Sequence, residues 1–203
     1  MWTLKKHIRR CQRGVAALEA AIILPIMLLL IFGCMEVYQY YRAEAILDRV
    51  SFTVANGVSI QKELFDRGLC DDADDICIYG KVAKDLFQPL DYASFGSMRI
   101  SLFIAEAAGN GQVSWNNDPS TSTGWVKEFR GVSAGELDST SRLQDKSVFP
   151  PPVVGDTVVV VEVFYQHEPF VMSSRFWAAL AGTTQIYSRF FFRPRFDDLR
   201  KLS

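Results

Sequence analysis

Histidine is almost missing from this chain, with 2 in 203 residues, and no G-x-S-x-G, phosphate-cradling glycine loop or HExxH helix occurs. His7 lies among basic residues near the start, and His167 beside Glu168 reads as a surface contact rather than a catalytic base. No nucleophile with an adjacent base emerges, so neither an enzyme nor a cofactor is expected. Acid is absent from residues 1–14, which carry Lys5, Lys6, Arg9, Arg10 and Arg13. The whole chain has 22 basic and 23 acidic side chains, so the part after Gly14 holds 17 basic against 23 acidic, a net of −6. An acidic body offers no footprint for nucleic acid, and none is expected as a partner. A basic leader on an acidic body instead suits membrane orientation, with the leader cytoplasmic.

Charge is missing from the next stretch as well. Between Val15 and Met35 only Glu19 is ionisable in the charged sense, and these residues span about 31 Å as a helix, the thickness of a bilayer's hydrocarbon core. Tyr38, Tyr40 and Tyr41 follow where an interfacial aromatic belt would sit. A carboxylate within a membrane segment costs roughly 2.5–3.5 kcal/mol on insertion scales, which marks Glu19 as functional by default.

Several N-terminal signals compete for this pattern. A cleaved secretory signal has an apolar core of about 7–15 residues ending in small side chains. This run is longer and ends in Phe32-Gly33-Cys34-Met35. A lipoprotein signal would use Cys34, but Phe32 stands where a small residue belongs. A plain signal anchor leaves Glu19 near the cytoplasmic interface without a purpose. A prepilin-like site gives both Gly14 and Glu19 a reason at their spacing. Gly14 followed by an apolar run with Glu at the fifth position resembles the processing site of type IV prepilins. The fuller wording, RGVAALE running into an apolar stretch with Pro25, resembles the TadE/TadF pseudopilins of the tight-adherence (Flp) pilus.

The resemblance implies cleavage between Gly14 and Val15 by a prepilin peptidase, and a requirement for Glu19 in assembly. Cleavage would free the Val15 α-amino group one helical turn from Glu19, where the two charges partly neutralise each other. It also implies a minor pilin or pseudopilin of the bacterial inner membrane, N-terminus cytoplasmic and head periplasmic, whose partners are other pilins, the assembly platform and the membrane. Whether the chain enters an extracellular fibre stays open. The alternative is a single-pass envelope binding protein outside any pilus. Length and the Leu47-Asp48-Arg49-Val50-Ser51 stretch lean towards TadF over TadE.

Proline is absent from Met35 to Phe65, and Gly57 is the only glycine there. Ala43, Leu47, Val50, Val54 and Val58 recur at three- and four-residue steps, one apolar face of a helix. The expected organisation is a leader over 1–14, a membrane helix over 15–35, a helix extension over 36–66 and an α+β periplasmic domain over 67–203. This is a pilin-like lollipop, a long helix followed by an antiparallel sheet.

Cysteine is scarce, 4 in all, and Cys70 and Cys77 flank four aspartates. Outside the cytoplasm this spacing suggests a disulfide. The acidic loop lacks the central glycine and distal glutamate of an EF-hand, so no metal is expected. Further on, Ile78–Leu90 predicts a short helix and Met98–Glu106 a strand. Asn110-Gly111 is a hairpin turn signal, returning through Gln112–Trp115. Trp125–Phe129 and Thr157–His167 read as strands, Ser173–Ala181 as a short helix and Thr183–Phe192 as a closing strand. In that strand Phe190, Phe191 and Phe192 must point to both faces of the sheet, one face for the core and the other for a helix or partner. The tail FDDLRKLS reads as polar and loose.

Overall fold

A computed structural model describes residues 2–68, 70–107, 112–118, 120, 124–133, 137, 139–143, 149–168, 184–196, 199 and 202, with side chains from residue 17 onward. The order is α1 (Trp2–Ser59), α2 (Ile76–Leu86), α3 (Tyr92–Phe95), β1 (Gly96–Ala107), β2 (Val113–Asn116), β3 (Trp125–Arg130), β4 (Thr157–His167) and β5 (Thr184–Phe192). This is the α+β arrangement expected. The chain divides into two compact units, Met1–Tyr41 and Arg42–Ser203, and α1 contributes to both. The predicted Asn110-Gly111 turn and Ser173–Ala181 helix lie outside the described residues.

In the second unit every strand pairing is antiparallel. The order is β2-β1-β4-β5, and β3 pairs with β1 alongside β2. β4 sits centrally because Val158 to Val161 bury on both faces, as a continuous β-branched run requires. One face carries Met98, Ile100 and Leu102 opposite Val163, Val161 and Val159. On it lie the head portion of α1 and the amphipathic α2. Ser188 of β5 donates to Asp48 (2.6 Å), its hydroxyl meets that of Ser51 (2.8 Å), and Phe52 stacks edge-on against Phe190 and Phe192. The apolar stripe predicted for α1 is buried: Ala43, Leu47, Val50, Val54 and Val58 are each at most 1% exposed.

The opposite face buries Phe103, Trp115, Val158 and Val160 beneath Leu143 and Phe149, and Phe191 packs there. The three consecutive phenylalanines thus do divide between the faces. Between Leu137 and Pro152 the described residues form no helix or strand, yet they supply this second cover.

Three expectations need correction. The helix extension ends at Ser59, not near residue 66. Ser59 turns its hydroxyl back to the Asn56 carbonyl (2.8 Å), and its own carbonyl accepts the Arg195 N–H (2.9 Å), so the helical ladder is interrupted by the returning chain. Leu64 and Phe65 then enter isolated bridges with Leu202 and Asp75. The tail is docked rather than loose: Leu199 is buried and its carbonyl accepts the Trp125 indole N–H (2.9 Å). His167 is buried, not a surface residue.

Candidate functional site

The apolar segment belongs to α1, which passes Pro25 without a break. Proline there leaves the Ala21 carbonyl without its intrahelical donor, a defect membrane helices tolerate. The side chains point outward: Leu18, Ile22, Ile23, Leu24, Ile26 and Met27 are all more than half exposed, and no part of the most apolar window is buried. So much apolar surface cannot stay in water, at about 25 cal/mol per Å², and this helix is long and apolar enough to cross a membrane. Tyr38 and Tyr41 are each 64% exposed at its far end, as an interfacial belt requires.

Gly14 and Val15 lie within α1, and their side chains are outside those described. Glu19 is exposed, and among the described residues no cation reaches its carboxylate within ion-pair distance. Its helical neighbours three and four residues on are Ile22 and Ile23, which offer it no cation.

Cys70 and Cys77 are joined, with Cα atoms 4.9 Å apart. The intervening aspartates are used locally. Asp75 caps α2, accepting the Cys77 N–H at 3.0 Å, while Asp72 and Asp74 face Arg67 at 4.0 and 3.7 Å. Among the described residues no three His, Cys, Asp or Glu side chains converge as metal ligands.

A row of charge across the sheet escaped the sequence reading. Glu128, Arg99, Glu162 and Arg189 stand opposite one another on β3, β1, β4 and β5. Arg99 donates to Glu128 at 2.7 Å. Glu162 is fully buried, and its Oε1 accepts the Tyr187 hydroxyl (2.7 Å) and the Arg142 backbone N–H (3.1 Å). Burial, and then the Glu162 carboxylate, push the Tyr187 phenol well above its ordinary range. The signal was one acid in TVVVVEVFYQH: a carboxylate in a buried strand needs cations in register.

The described residues define an α+β protein with one helix long and apolar enough to cross a membrane. Residues 14–56 match the family described as TadE-like protein, a match that starts at Gly14 and runs through the membrane segment into the head portion of α1. It reaches the TadE-like family and does not single out TadF. No curated protein and no solved structure matches the chain.

Proposed function

We propose that this chain is a minor pilin or pseudopilin of a tight-adherence (Flp) pilus, processed after Gly14 and assembled through its N-terminal helix. The observation that carries the reading is Glu19, exposed and the one charge in the apolar stretch from Val15 to Met35, five residues after the glycine at which the TadE-like match begins. Cleavage there leaves a free amine on Val15, and Glu19 can bind that amine on its own chain or a neighbour's, fixing the register of adjacent helices. The basic leader argues for a cytoplasmic N-terminus and a periplasmic head. The partners are a prepilin peptidase, other pilins and the inner-membrane assembly platform. No catalytic role is proposed.

Processing is tested by intact-mass measurement of protein from its own cells. Loss of the first 14 residues is expected, and a Gly14→Leu variant should stay full length. A mature N-terminus at Cys34 carrying lipid would sink the reading. Glu19→Gln keeps size and hydrogen bonding while removing the charge. It should insert in the membrane normally and lower pilus formation at least tenfold; unchanged piliation would leave a membrane-anchored envelope protein instead.

A further inference from the structure

Lys81 and Lys84 stand three residues apart on α2, and Arg130 ends β3. With Gly80, Tyr92 and Phe129 they line an open cleft of about 400 Å³. Gly80 permits the close approach of helix and strand, since a Cβ there would lie 2.6 Å from the Phe129 ring. The cleft has a surplus of positive charge. Glu128, its acid, is already occupied by Arg99 (2.7 Å) and Arg130 (3.2 Å). Lys81 donates to the Cys70 carbonyl (3.0 Å), and among the described residues neither lysine has a carboxylate within ion-pair distance. Asp85, also exposed on α2, does not line the cleft.

Beside the cleft lies the opposite surplus. The Cys70–Cys77 disulfide ties the acidic turn to the first turn of α2, with Asp71 and Asp72 exposed. Asp72 meets Arg67 only at 4.0 Å, and Asp71 has no ion pair among the described residues. Within one chain Lys81 reaches the backbone of this turn at the Cys70 carbonyl, yet among the described residues neither lysine pairs with Asp71 or Asp72. Adjacent positive and negative patches that do not neutralise each other are complementary to the same patches on another copy turned by a two-fold axis.

We propose that the α2–β3 cleft docks the Cys70–Cys77 acidic turn of a second copy of this chain, reciprocally. Membrane anchoring makes such a contact effective, because confinement raises the local concentration at which weak charge pairs meet. The proposal needs the anchor but not the pilus, so its test is independent of piliation.

The test is carbodiimide coupling of the full-length chain in membranes, using a mixture of isotope-labelled and unlabelled copies. Inter-copy links from Lys81 or Lys84 to Asp71 or Asp72 are expected, with dimer yield falling at least threefold at about 0.5 M salt, where surface charges are screened. K81E/K84E alone, with acids on both patches, and D71K/D72K alone, with lysines on both, should each lose the dimer by a similar factor. Mixing those two variants should restore it as a heterodimer, which also shows that both are folded. Unchanged yield in either single variant, or no recovery on mixing, would overturn the proposal; the latter would assign the cleft to an anion from elsewhere.

Discussion

Glu162 shows how a single side chain can hold a sheet in register. It lies between Arg99 and Arg189 on the flanking strands and is fully buried. Replacing it with alanine leaves the Tyr187 hydroxyl and the Arg142 N–H without their acceptor. A loss of about 2 kcal/mol is expected from the two donors left unsatisfied, measured by chemical unfolding followed through tryptophan fluorescence. Burial is the first cause of a raised phenol pKa at Tyr79, Tyr92, Tyr165 and Tyr187. A phenol raised above its unfolded value of 10.0 favours the fold fully while it is neutral below that value, and that contribution fades as pH climbs through the folded value. Stability should therefore hold up to about pH 9 and fall above pH 10. Tyrosinate absorbance followed against pH should show a set of late phenols that ionise together with unfolding. Smooth titration of every phenol near its ordinary value in folded protein would contradict this.

Among the elements, α1, β1 and β4 were legible because their patterns are long and consistent. The stripe from Ala43 to Val58 matched the buried helix face, and β4 kept its predicted bounds, Thr157–His167. The helix end was not legible, because Ser59 stops by bonding Arg195, a residue 136 positions later that no local pattern announces. The docked tail was missed for the same reason: Leu199 stands in a stretch without strand or helix periodicity, and its partner Trp125 comes from β3. Leu199→Ala should cost about 2–4 kcal/mol, the range for a buried leucine, and a truncation after Arg195 at least as much. A loose tail would show no change in either. The Cys70–Cys77 link closes eight residues running into the first turn of α2 and should contribute about 2–3 kcal/mol in the chain-entropy model. Thermal unfolding of the Cys77→Ser variant measures that contribution, and peptide mapping without reductant must find the two thiols joined. Of the candidate site, Gly14 and Glu19 are proposed from their spacing alone. The charge row was not legible, because register across four strands is set by tertiary pairing.

For the molecule as a whole, the helix proposed for assembly is also the element that completes the head. A head starting at Arg42 on every subunit would crowd a fibre of thin helical subunits, so a minor share of the fibre is the expected role. Quantitative mass spectrometry of sheared pili should find it far below the major subunit; equal abundance would refute that share. The joining of α1 to β5 sets an order of events during synthesis. The anchor leaves the ribosome first, whereas Ser188, which binds Asp48 and Ser51, emerges 137 or more residues later. Until then the part of α1 around Asp48, Ser51 and Phe52 lacks its β5 partners and one edge of β4 is unpaired, so the nascent head stays a substrate for chaperones and proteases. A chain stopped after β4 is thus anchored but unfinished, and the last strand acts as the molecule's own proof of completion.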